Sequence, residues 1–156
     1  MKDYRPRLLV VDDVGDCADS FRMLLELWGY EVKVAYDGPG AWEATRAFRP
    51  HAILLDLCMP GIDGFRVAEA LRGLPEAARA RLVAVTGRTD EACRARALGA
   101  GFAGYLVKPI ELAALRDLLV ALVGRPPPAG PSPRPGLLTP AKGARAALVP
   151  AGAGRD

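Results

Sequence analysis

Four consecutive apolar residues, Ala52 to Leu55, run straight into a carboxylate, Asp56, and then into Met59-Pro60-Gly61 and Asp63-Gly64. An uninterrupted apolar stretch of this kind reads as a strand buried on both faces, as in parallel sheets covered by helices. Closing such a strand with a carboxylate is costly, because an unpaired buried charge is strongly disfavoured. Asp56 has to be compensated or used. The Pro and Gly behind it break the strand, and Asp63-Gly64 makes a turn that can cap a helix. Strand, acid, loop, helix is an order that sets a reactive side chain at the lip of a sheet.

The same unit recurs along the chain. Arg7-Leu8-Leu9-Val10-Val11 is a short strand that ends at Asp12-Asp13. Residues 31–35 alternate Val32 and Val34 with polar residues, as an edge strand would. Residues 82–85 end at Thr86-Gly87, and residues 104–107 end at Lys108-Pro109. Between them the apolar spacing predicts helices over 16–28, around 41–48, and over 64–71, 89–98 and 110–123. In the first of these, Cys17, Phe21, Leu24, Leu25 and Trp28 form the expected inner stripe, and Met23 and Leu27 lie off it as apolar surface. Five strands alternating with five helices predict an α/β fold with a mostly parallel sheet, right-handed crossovers and helices on both faces.

Composition narrows the function. The chain has 156 residues, enough for one domain, assigned to residues 5–123. Eight of the 14 prolines fall in 124–156 among Gly and Ala, a stretch that cannot bury a core and is expected to be a disordered tail. The formal net charge of +3 belongs to that tail, with 5 basic residues against 1 acidic, whereas residues 1–123 hold 16 basic against 17 acidic. The folded part is therefore not expected to bind nucleic acid, and the tail lacks the helix or interleaved aromatics of a nucleic-acid binder. No apolar run approaches the length of a membrane span and no signal-peptide pattern is present, so a soluble, cytoplasmic protein is expected. Cys17, Cys58 and Cys93 are scattered, which argues against a disulfide framework or a zinc site. His51, the only histidine, precedes a strand and reads as a surface residue.

In a parallel sheet all strand carboxyl ends share one edge, so Asp12, Asp13, Asp56, Thr86 and Lys108 should meet in one cleft. Each has an ordinary explanation alone. The acid pair can cap the first helix, Lys108 can be a solvated lysine, Thr86 a helix cap, and Tyr105 a packed strand residue. Together they weigh differently. Two like charges ~4 Å apart repel by ~4 kcal/mol at an effective dielectric of ~20, so the acids call for a cation. Oxygen-only ligands favour Mg²⁺. Lysine is rare here, with four against 17 arginines, and one at a strand end suggests a point charge aimed at a fixed spot. The set fits phosphoryl chemistry, with Asp56 as nucleophile forming an acyl phosphate and Lys108 and Thr86 holding the remaining oxygens. No GxxxxGK[ST] or GxGxxG loop is present to hold a nucleotide.

Asp12-Asp13, Asp56 with Met59-Pro60 and Asp63-Gly64, Thr86, Tyr105 and Lys108-Pro109 resemble the receiver domain of bacterial two-component response regulators, over roughly residues 5–123. The resemblance implies a flavodoxin-like five-stranded parallel sheet of order 2-1-3-4-5. It implies Asp56 as acceptor of phosphate from a histidine kinase or phosphotransfer protein. Mg²⁺ would be held by Asp13, Asp56 and the Cys58 carbonyl, with Asp12 partly through water. It implies a switch in which Thr86 moves to the phosphoryl group and Tyr105 turns inward, reshaping the face of helix four, strand five and helix five. That face would serve an unknown effector protein or a homodimer, and the kinase would dock at the first helix near Met23 and Leu27. The chain would be a phosphorelay module without other enzymatic activity. Gly87 stands where the family often has Ala, and Cys58 and Arg88 stand where the family tunes dephosphorylation. The alternative is a phosphatase of the haloacid dehalogenase type. That class needs a second Asp two residues after the nucleophile, where this chain has Cys58.

Overall fold

Side chains alternate across a strand, so a strand covered on both faces must be apolar at every position. The computed structural model, which describes residues 4–87 and 90–126 and a strand at 148–150, shows this at β3 (Ala52–Asp56), where all five residues are buried. The elements follow as β1 (Arg7–Val11), α1 (Gly15–Leu27), β2 (Glu31–Ala35), α2 (Gly38–Phe48), β3, α3 (Gly64–Arg72), β4 (Arg81–Thr86), α4 (Glu91–Gly99), β5 (Gly104–Val107) and α5 (Leu112–Val123). These five strands are parallel, in the order β2-β1-β3-β4-β5.

Alternation divides the core into two layers. Leu8, Val10, Leu54, Val83, Val85 and Leu106 pack with Leu25 of α1 and Leu115, Leu118 and Leu119 of α5. Leu9, Val11, Ile53, Leu55, Ala84 and Tyr105 pack on the other side with Ala41 of α2, Leu71 of α3 and Ala97 of α4. The register pairs Val11 with Leu55, Asp56 with Val85 and Thr86 with Val107, which brings the carboxyl ends of the four central and right-hand strands to one level.

The elements start and stop where local chemistry allows. The carboxylates of Asp37, Asp63 and Asp90 accept the N–H groups of Gly40, Phe65 and Cys93 at 2.6, 2.9 and 2.8 Å, closing the first turns of α2, α3 and α4. Helix α4 thus begins at Glu91 behind the Asp90 cap, later than the spacing predicted, while Arg88 and Thr89 lie outside the described residues. Helix α5 begins at Leu112, with extended Glu111 as its N-cap. A 3₁₀ turn at Pro75–Ala77, unforeseen from the apolar spacing, joins α3 to β4. On α1 the buried residue near the start is Ala18, and Cys17 is exposed. The inner stripe runs through Ala18, Phe21, Leu24, Leu25 and Trp28, the expected one with Ala18 in place of Cys17. Met23 is exposed, as its position off the stripe implied.

The tail brings a further departure from the sequence expectation. A sixth strand, β6 (Leu148–Pro150), lies antiparallel to β5, pairing Leu106 with Leu148 and Gly104 with Pro150. It falls within 124–156, where a disordered tail is expected. Leu148-Val149 is an apolar pair containing a β-branched residue, and β5 otherwise ends the sheet with an open row of backbone groups. The rest of that tail, 127–147 and 151–156, lies outside the described residues. Among the described residues no helix is long and apolar enough to cross a membrane.

Candidate functional site: an acidic cleft at the strand tips

The five residues expected to converge at the sheet edge do converge. Carboxylate oxygens of Asp12, Asp13 and Asp56 lie within 4.8 Å of one another. Asp12 and Asp56 are buried, at 2% and 4% exposure, while Asp13 faces solvent. Lys108 bridges the buried pair, its Nζ donating to Asp12 Oδ2 at 3.1 Å and to Asp56 Oδ2 at 3.2 Å. The second oxygen of each acid is held by its own loop. Asp12 Oδ1 accepts the N–H of Val14 at 2.9 Å, and Asp56 Oδ1 accepts that of Cys58 at 2.8 Å. Both strands therefore end in the same small turn, a carboxylate closing on the backbone two residues ahead. Of the cleft acids, it is Asp12, with Asp56, that pairs with Lys108; Asp13 is left to the solvent side.

Electrostatics follow from burial. Loss of water pushes the Asp56 carboxyl above its usual range, and the Cys58 N–H and the Lys108 ammonium pull against that shift. For Lys108 burial works against the charge, but the hydrogen bonds and charges of Asp12 and Asp56 outweigh it and raise the ammonium's pKa. Three carboxylates against one ammonium leave the cleft negative. An all-oxygen donor set, net negative and open on the Asp13 side, has the chemistry that a hard divalent cation requires.

Thr86 ends β4 fully buried, and its backbone carbonyl accepts the Lys108 N–H at 2.8 Å. Its Oγ1 lies 2.9 Å from the Sγ of Cys58, a contact the sequence did not announce. Tyr105 is also buried, at 1% exposure. Burial pushes its phenol well above the usual range, and a hydrogen bond with the Cys93 side chain adds to this. Cys93 had no signal in the sequence beyond its place three residues after a helix-capping acid. The Lys108-Pro109 bond is cis. His51, expected at the surface, is half-buried at the opposite end of the sheet, where its Nδ1 accepts the Arg7 N–H at 2.8 Å.

The chain is similar in sequence and fold to known proteins. The family model of the response regulator receiver domain matches residues 8–120. The transcriptional regulatory protein PrrA of Mycobacterium tuberculosis is 40% identical over 120 residues, which are 77% of this chain and 51% of PrrA. The response regulator MprA of the same organism is 37% identical over 122 residues, 78% of this chain and 52% of MprA. The chain thus spans about half the length of these curated relatives. Among solved structures, the Vibrio cholerae chemotaxis protein CheY4 superposes with a TM-score of 0.72 at 27% identity, covering 77% of this chain and all of CheY4 (100%). The receiver domain of the Pseudomonas aeruginosa sensor histidine kinase PA1611, which holds a magnesium ion in its active-site cleft, superposes with a TM-score of 0.69 at 28% identity, covering 78% of this chain and 99% of that one. The phosphatase alternative gains no support from these similarities, and residue 58 offers a thiol where it would need an acid. An acid cluster and lysine at the tips of a 2-1-3-4-5 parallel sheet, with a family match over most of that sheet, make this chain a member of the response regulator receiver domains, the phosphorelay modules of two-component signal transduction.

Proposed function

We propose that Asp56 is the phosphoacceptor of a Mg²⁺-dependent switch. The observation that carries this is a buried carboxylate with one oxygen fixed by the Cys58 N–H and the other 3.2 Å from Lys108. An Asp56 oxygen attacks phosphorus, an acyl–phosphate P–O bond forms, and the bond from phosphorus to the donor nitrogen or oxygen breaks. Poor solvation leaves the nucleophile little water to shed, and the Lys108 ammonium is placed to follow the charge onto a phosphoryl oxygen. The residues fit a divalent cation held by Asp13, Asp56 and the Cys58 carbonyl, with Asp12 partly through water; when bound it would supply further neutralisation of the phosphoryl oxygens. Thr86 would bind a third oxygen.

The donor in this reading is a histidine kinase or phosphotransfer protein, acting in the cytoplasm. The exposed Met23 on α1 suits its docking. The chain is then an acceptor that catalyses only its own phosphorylation and dephosphorylation. Output passes to an effector protein by differential binding to one conformer. A homodimer through α4, β5 and α5 is compatible only if β6 leaves the β5 edge it lines here. Residues 5–123 are taken as the functional unit. Incubation with Mg²⁺ and acetyl phosphate should add one phosphoryl group by mass to the full chain and to a fragment ending at Gly124, and none to Asp56→Asn. Label persisting on Asp56→Asn would overturn the assignment.

A further inference from the structure

The Cys58 side chain leaves the acid cluster and turns to Thr86, with Sγ 2.9 Å from Oγ1. Nothing in the phosphoacceptor reading uses this thiol. It sits on the β3–α3 loop, exposed, two residues past Asp56, while Thr86 is fully buried at the tip of β4. The two strands are bonded neighbours here, with Asp56 opposite Val85 and the Leu57 N–H donating to the Val85 carbonyl at 2.9 Å. The loop carrying the thiol is therefore held at a fixed distance from the hydroxyl.

We propose that Cys58 is a positioning residue that restrains Thr86, so that a phosphoryl group on Asp56 must displace the thiol to gain the hydroxyl. This rests on the phosphoacceptor reading of Asp56 and deepens it. Whichever of the two atoms donates, the contact holds the Thr86 hydroxyl against sulfur, and a hydroxyl held there is not placed on a phosphoryl oxygen. Sulfur is a weak hydrogen-bond partner, so the restraint is light and reversible, whereas a serine hydroxyl at residue 58 would hold harder. This role is separate from any effect of residue 58 on dephosphorylation, because it acts on the affinity of the site for the phosphoryl group and only through Thr86.

The test is a double-mutant cycle on the full chain, read as the dissociation constant of beryllofluoride, an unreactive phosphoryl mimic, with saturating Mg²⁺. Cys58→Ala should bind it roughly two- to tenfold more tightly, the range of one neutral hydrogen bond, and Cys58→Ser more weakly than wild type. In a Thr86→Val background the Cys58 substitutions should leave the affinity unchanged. Equal shifts with and without Thr86, or no shift in either, would overturn the inference. Should Thr86→Val fail to unfold cooperatively, the order Ala, Cys, Ser at residue 58 decides alone, and any other order overturns it. Failure of the underlying reading shows differently, as acetyl phosphate labelling that survives Asp56→Asn.

Discussion

The ammonium of Lys108 lies 3.2 Å from Oδ2 of Asp56, a residue 52 positions away in the chain, and the same nitrogen lies 3.1 Å from Oδ2 of Asp12. One cation thus holds two buried acids that would otherwise repel across the cleft. Replacing it with an apolar side chain, Lys108→Met, leaves both acids unpaired. The variant should lose about 1–3 kcal/mol of stability at neutral pH, less than for a fully enclosed pair because Lys108 is 29% exposed. Thermal unfolding with and without Mg²⁺ checks this, with the metal recovering more stability in the variant than in wild type. Equal recovery in both would contradict the account.

Asp56 carries a pH signature. Its carboxyl is raised above the usual range by burial, so the folded state keeps the proton to higher pH than the unfolded chain does. Between the two pKa values the unfolded state binds fewer protons, and stability falls as pH rises through the folded value. Asp56→Asn removes that penalty. Without metal, the variant should melt higher than wild type at pH 7, and the difference should shrink as pH falls toward the usual carboxylate range. A gap that widens on acidification would run against the shift.

Asp13 is the exposed member of the acid trio and makes no contact with Lys108 of the kind Asp12 and Asp56 make. Its charge is available to an incoming cation. Mg²⁺ at a hundred times its dissociation constant should stabilise the protein by roughly 2.7 kcal/mol, and chelation should remove the gain. Asp13→Ala should lose most of this response while unfolding normally without metal. A full Mg²⁺ response in that variant would remove Asp13 from the ligand set.

Gly64 opens α3 directly under the acceptor loop. A Cβ there would lie 2.9 Å from the Leu57 Cα and 3.2 Å from the Asp56 carbonyl oxygen. These are backbone atoms and cannot swing aside. Gly64→Ala should cost about 1–3 kcal/mol by overpacking, and should also weaken Mg²⁺ binding because the strain falls on the loop bearing Asp56 and Cys58. Urea unfolding and a Mg²⁺ titration measure the two effects. A destabilised variant with normal metal affinity would separate packing from the site.

The strand ends were legible because a parallel α/β chain writes its sheet edge into the sequence. Apolar runs of four or five residues stopping at Asp12, Asp56, Thr86 and Lys108 mark residues that share one edge whatever the loops do. Contacts between side chains on different loops leave no such mark. The Cys58–Thr86 pair joins residues 28 positions apart and the Cys93–Tyr105 pair joins a helix to the next strand, and each thiol alone looks like a small residue. The β6 strand was invisible for another reason, since three residues in a Pro- and Gly-rich stretch carry no periodicity, and their pairing depends on β5 offering an open edge.

By itself, then, the order of residues determined the layered α/β architecture and the group of acids, hydroxyl and amine at its rim, because hydrophobic periodicity and strand polarity are local properties that repeat. Only the tertiary structure decided which acid pairs with Lys108, that Tyr105 is buried, and where the Cys58 thiol points. Those choices are made by distances of about 3 Å between segments tens of residues apart, set by how the helices and loops pack.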